Sequence, residues 1–194
     1  MTPSLTRSKR ILLLAVAVSL PVSSARAEDP AIPLQLQVEL TAKVVEYAQS
    51  PSSQGLPVMR IGILIRNGSV ESQHFGAELK ATFGRMPAIA GLPHEEVVIN
   101  WSTASAFVEE ARRRQLFAVY LTPGLRAEVP AIARALEGVQ VISVAAVDSY
   151  VPGGAILGFE LISGRPRMVL NLPQAKKQGV AFRAQVMKLM RIVE

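Results

Sequence analysis

The chain has no cysteine at all, which excludes disulfides, thiolate metal sites and a cysteine nucleophile. Histidine is almost as scarce, with His74 and His94 the only two. His74 falls in a helical stretch beside Phe75, and His94 falls in a loop after Pro93. Both are expected to be solvent-facing or loosely packed rather than metal ligands. Beyond residue 27 the only aspartates are Asp29 and Asp148. No Gly-x-Ser-x-Gly elbow accompanies them, so a Ser-His-Asp triad is not expected. No Gly-Lys-Ser/Thr occurs either, which removes the common phosphate loop. No metal and no cofactor is therefore expected. Aromatic residues make up 5% of the chain, and Trp101 is the single tryptophan. Its place at a strand end points to core or rim packing rather than stacking on a ligand.

What is present begins with a leader pattern. Arg7, Lys9 and Arg10 precede the apolar run Ile11–Leu20, and small residues follow at Ala25 and Ala27. That is the plan of a secretory signal peptide over residues 1–27, with cleavage before Glu28. The apolar run is shorter than the ~20 residues of a membrane span. The exported chain is thus expected to be soluble, with no transmembrane segment. The leader carries four basic residues and no acidic one, so the net charge falls from +6 to +2 once it is removed. The high isoelectric point owes much to the leader and does not argue for nucleic acid.

Residues 28–33 read as an extended lead-in, since Pro30 and Pro33 discourage helix. An apolar stripe at Leu36, Leu40, Val44, Val45 and Tyr47/Ala48 predicts a helix over 34–48. Four apolar runs then predict strands over 58–65, 95–101, 116–122 and 139–146. Helical segments separate them, the first capped by Ser69 and the next by Ser102 or Thr103. Alternation of this kind predicts a mostly parallel α/β sheet with crossover helices. The pattern then changes. "AILGFELI" and "PRMVLNL" are separated only by Ser163-Gly164-Arg165, too short for a crossover, so they form an antiparallel hairpin. A closing helix is expected over about 180–193, with Phe182, Val186, Leu189, Met190 and Val193 on one face. Residues 34–194 are expected to form one domain.

Gly153-Gly154 precedes a strand rather than a helix, so it reads as a loop needing positive φ and not as a phosphate cradle. Glu109–Arg113 and Glu110–Arg114 have the i,i+4 order of a solvated helix face, with an anion site as the alternative. "NGS" at 67–69 matches a glycosylation acceptor, and helix capping by Ser69 explains it equally. One crevice attracts a functional reading. In open parallel sheets ligands bind outside the carboxyl ends of the strands. Arg66, Thr122, Asp148, Ser149 and Tyr150 lie at such ends, as a small-ligand site or as ordinary turn residues.

Through "LQVELTAKVVEYAQ", "RIGILIRNGSVESQHFGAELKATF" and "RQLFAVYLTPG", in that order, the sequence resembles the YfiR family of periplasmic regulators. The resemblance is most specific over 139–192, through Gly153, Gly154, Ile156, Arg165, Arg167, Asn171, Leu172, Ala175, Gly179 and Leu189. It implies a non-enzymatic protein that binds the periplasmic part of an inner-membrane signalling protein, a diguanylate cyclase, and holds it inactive, generally as a homodimer. Val38, Val45 and Tyr47 on the first helix are interface candidates if exposed, and core residues if that helix packs flat. The alternative is a periplasmic small-ligand binder that uses the strand-end crevice.

Overall fold

The computed structural model describes residues 28–49, 55 and 57–193. The expected leader, 1–27, and most of the loop 50–57 lie outside the described residues. The first helix, α1 (Leu34–Val45), is followed by β1 (Ala48–Gln49), β2 (Met59–Arg66), α2 (Val70–Phe83), β3 (His94–Trp101), α3 (Ala104–Arg113) and β4 (Ala118–Leu121). Then come α4 (Val129–Ala135), β5 (Ile142–Ala145), α5 (Tyr150–Gly153), β6 (Leu157–Ile162) and β7 (Arg165–Asn171). The chain ends with α6 (Leu172–Gln178), β8 (Ala181–Phe182), α7 (Ala184–Met187) and β9 (Arg191–Val193).

Seven strands form one sheet in the order β3-β2-β4-β5-β6-β7-β9. Pairing is parallel from β3 through β6, antiparallel between β6 and β7, and parallel again between β7 and β9. The expected α/β fold with its hairpin is therefore present. All residues of β4 and β5 are buried, as strands covered on both faces must be. β3 lies at an edge and alternates between buried and exposed positions. Among the helices, α1 packs on α2 and α3 on α4. The caps follow the sequence signals. Ser69 accepts from Ser72 N–H at 3.2 Å and Thr103 from Ala106 N–H at 3.2 Å. Capping thus accounts for the serine of "NGS".

The closing helix is corrected. Only Ala184–Met187 is helical in that stretch, between two short strands. Residues 191–193 add to the free edge of β7, at Val169–Asn171. Ala181 and Phe182 pair with Gln49 and Ala48. Phe182, Val186 and Met190 are buried as expected, but Leu189 is exposed. α1 also stops early, because residues 48–49 join β8 instead of extending the helix. A helix not anticipated, α6, starts where Asn171 accepts from Gln174 N–H at 2.9 Å and ends at Gly179, φ 71°.

Gly153 belongs to the short helix α5, and Gly154 ends it with φ 120°. The glycine pair is a helix end leading into β6, not a phosphate loop. His94 is corrected too. It opens β3 with its side chain only 7% exposed, Nδ1 2.5 Å from Glu96 Oε1 and Nε2 2.9 Å from Met86 O. His74 is exposed and lies beside Glu78, one helical turn on. Trp101 packs at the rim against Phe107, with ring centroids 6.1 Å apart. Glu110 binds both Arg113 and Arg114, rather than each arginine having its own glutamate. Among the described residues, no helix is long and apolar enough to cross a membrane.

Candidate functional site

Two places bring together residues that the sequence singled out. The first is a groove of about 470 Å³ lined by Leu40, Lys43, Tyr47, Arg167, Leu189 and Met190, among others. α1 packs flat on the sheet, so Val38 and Val45 are core residues at 0% and 5% exposure. They present no surface. Tyr47 just past the helix is half-buried and lines the groove.

The groove has an apolar wall because a sheet face outruns its cover. Along the hairpin, Phe159 pairs with Met168 and Leu161 with Pro166. Side chains alternate along a strand, so Leu161 and Pro166 continue the face of buried Phe159 and Met168. At Leu161 that face is 54% exposed. Leu189 stands 75% exposed in the C-terminal segment that lines the same groove. Lys43, Glu46 and Arg167 rim it with charge. An apolar floor with a polar rim is the anatomy of a protein contact surface. Periodicity alone placed Leu189 in a helix facing the sheet, which hid its exposure.

The second place is the strand-end crevice. Arg66 donates through Nη1 to Gly124 O at 2.9 Å. Thr122 is fully buried, donating to Leu64 O at 2.8 Å and sharing a 2.6 Å bond with Ser72 Oγ. It is a structural link between β4, β2 and α2. Asp148 is exposed and Ser149 half-buried. Tyr150 is buried, and its hydroxyl donates to the Glu28 carboxylate while accepting Leu125 N–H at 2.8 Å. Glu28 also accepts from Gly124 N–H at 3.0 Å and from Arg126 Nε at 2.6 Å. Sequence reasoning missed Glu28, Gly124 and Arg126, because no motif links the lead-in to a turn 96 residues away.

The electrostatics follow from these contacts. Burial pushes the Glu28 carboxyl up, but the hydrogen bonds from Tyr150, Arg126 and Gly124 outweigh it and hold the group below its ordinary value. Burial, and then the anionic partner Glu28, raise the Tyr150 phenol far above its own. Tyr150 is therefore a neutral donor and not a base. Among the described residues no group of three or more histidines and carboxylates is placed to hold a metal.

A mostly parallel sheet of this order, with helices between its strands, defines an α/β protein. The solved structures it resembles include an ABC domain in complex with L-Trp from Streptococcus pneumonia, 14% identical with a TM-score of 0.56, covering 83% of this chain and 62% of that one. A ligand-free, open substrate binding protein with adhesive properties from Clostridium difficile is also 14% identical, with a TM-score of 0.59, covering 85% and 61%. A conserved domain protein from Vibrio cholerae gives 14%, 0.57, 84% and 60%. The chain thus spans about three-fifths of their length, and at such identity the likeness shows the fold alone. No curated protein matches the chain. The YfiR/HmsC-like family model matches residues 34–191, and the chain belongs to that family.

Proposed function

We propose that the protein is a non-enzymatic periplasmic regulator in cyclic-di-GMP signalling. It binds the periplasmic part of an inner-membrane diguanylate cyclase and holds it inactive. Membership of the YfiR/HmsC-like family over residues 34–191 carries this reading. The groove between Tyr47, the hairpin and Leu189 is the surface offered to the partner. Repression of this kind acts by differential binding, since the regulator must prefer the inactive conformation of its target. The working form is a homodimer, as the family resemblance implies.

The test is crosslinking from the periplasmic side in cells, followed by recovery of tagged protein from membranes. Wild type is expected to retain an inner-membrane protein with a cytoplasmic cyclase domain. Leu189→Asp is expected to lose it while keeping its melting temperature, because Leu189 is exposed. Recovery of the same cyclase by wild type and Leu189→Asp would remove the groove from the reading. Recovery of no cyclase by wild type would overturn the regulator itself.

A further inference from the structure

The contacts around Glu28 form a complete receptor for a carboxylate. Both carboxylate oxygens are engaged: Oε2 by Gly124 N–H and the Tyr150 hydroxyl, and Oε1 by Arg126 Nε. Two of the three donors, Gly124 N–H and the Tyr150 hydroxyl, are set by the fold, and the third, Arg126, is an exposed side chain. Gly124 takes φ 89°, a left-handed conformation that favours glycine, and this turns its N–H outward from the end of β4. Leu125 N–H, the next donor, is passed on through the Tyr150 hydroxyl that accepts it at 2.8 Å. Tyr150 is buried and held by α5, so its proton has a defined direction. Ser149 Oγ, one residue away in sequence, is buried with no partner among the described residues.

The position in the fold matters as much as the donors. The chain leaves β2 for β3 on one side and then returns to β4 on the other. β2 and β4 are therefore the strands at which the winding reverses. Ligands of open α/β sheets bind outside the carboxyl ends of such strands. Arg66 at the end of β2 reaches across that gap to Gly124 O. The carboxylate sits beside it.

Its present occupant comes from the lead-in. Residues 28–31 belong to no helix or strand. The lead-in becomes fixed only at Ile32, which is 3% exposed and whose carbonyl accepts from Gln37 Nε2 at 3.0 Å. Residues 28–31 form a strap of irregular backbone ahead of that anchor, with Asp29 exposed and Ala31 partly packed against the core. With the expected cleavage before Glu28, the strap has a free end.

We propose that the turn Thr122–Arg126, with Tyr150, is a binding site for a small-molecule carboxylate, and that Glu28 is its built-in competitor. A free carboxylate enters as the strap swings out. The site shares no residue with the groove, so this inference stands apart from the regulator reading.

Acetate is the probe, because it carries the carboxylate and little else. The exported protein and its Glu28→Ala variant are melted in rising sodium acetate, with sodium chloride at equal ionic strength as control. Acetate is expected to raise the melting temperature of Glu28→Ala saturably, by roughly 2–4 °C at several multiples of its dissociation constant. Wild type responds less, because tethered Glu28 competes at high effective concentration. Adding Arg126→Ala and Tyr150→Phe to Glu28→Ala is expected to abolish the response. Should Glu28→Ala not fold, Glu28→Gln serves in the same titration. The proposal fails if acetate does no more than chloride in the Glu28 variant, or if its effect survives loss of Arg126 and Tyr150.

Discussion

Tyr120 donates a hydrogen bond to Gln37 at 2.7 Å, joining the middle of the sheet to α1 through a side-chain pair fully withdrawn from water. Gln37 uses its amide nitrogen on Ile32 O at 3.0 Å, so one side chain links the lead-in, the first helix and β4. Phe83 of α2 packs edge-on against the same ring, with centroids 6.3 Å apart. Tyr120→Phe keeps the ring and strands Gln37 Oε1. The expected cost is about 1–2 kcal/mol, read from denaturant midpoints at unchanged slope. Adding Gln37→Leu to Tyr120→Phe removes the stranded acceptor and should recover part of that loss, which a double-mutant cycle measures.

The flat packing of α1 separates two residues that the sequence grouped together. Val38 is 0% exposed and Tyr47 is half-buried at the groove. Val38→Ala should destabilise by roughly 1.5–3 kcal/mol. Tyr47→Asp should leave the melting temperature within a few degrees of wild type while weakening retention of the membrane partner. Equal loss of stability in both variants would mean that Tyr47 is a core residue and not a contact.

Glu28 predicts a dependence on pH. Its folded pKa lies below the ordinary 4.5, so the hydrogen bonds from Tyr150, Arg126 and Gly124 to its carboxylate contribute stability above that value. The contribution is lost as pH falls below 4.5 through the depressed folded pKa. Replacing Glu28 by Gln should cost about 1–2 kcal/mol at pH 7, and the gap to wild type should close in acid. Urea unfolding of both proteins from pH 7 to pH 3 checks this. A gap that stays constant would mean that the carboxylate charge is not the source.

The sheet was legible because its central strands β4 and β5 are apolar runs buried on both faces, and because Ser163-Gly164-Arg165 leaves no room for a crossover. The C-terminal segment was not. Phe182, Val186 and Met190 recur at helical spacing, yet Arg183 takes an extended conformation, ψ 140°, and β9 pairs with β7. A free strand edge offers backbone hydrogen bonds that no local pattern announces, and tertiary pairing overrides periodicity there. α6 did carry a signal. Asn171, Pro173 near the start and Gly179 after the end are helix punctuation. The Glu28 site could not be read, since its parts come from the lead-in, the β4 turn and α5. Tyr150 does lie at the strand ends, and there it donates to the chain's own carboxylate.

The glycine pair gives the last prediction, because its two members face different demands. Gly154 has φ 120°, and a Cβ there would lie 2.4 Å from the Ala133 Cβ of α4. Neither the backbone nor that methyl has freedom to yield. Gly153 sits inside α5 with no positive φ, and a Cβ there would lie 3.0 Å from Val129 Cγ1. A small rotation of one valine relieves that contact. Gly154→Ala should therefore destabilise by about 2–4 kcal/mol, combining strain with overpacking. Gly153→Ala should cost under about 1.5 kcal/mol, offset in part by the lower entropy of its unfolded chain. Because α5 carries Tyr150, the Gly154 variant should also weaken the hold on Glu28. Proteolysis of the lead-in, followed by mass, would then speed up in Gly154→Ala and stay at the wild-type rate in Gly153→Ala. Equal rates in the two variants would show that α5 keeps its place without the left-handed residue at its end.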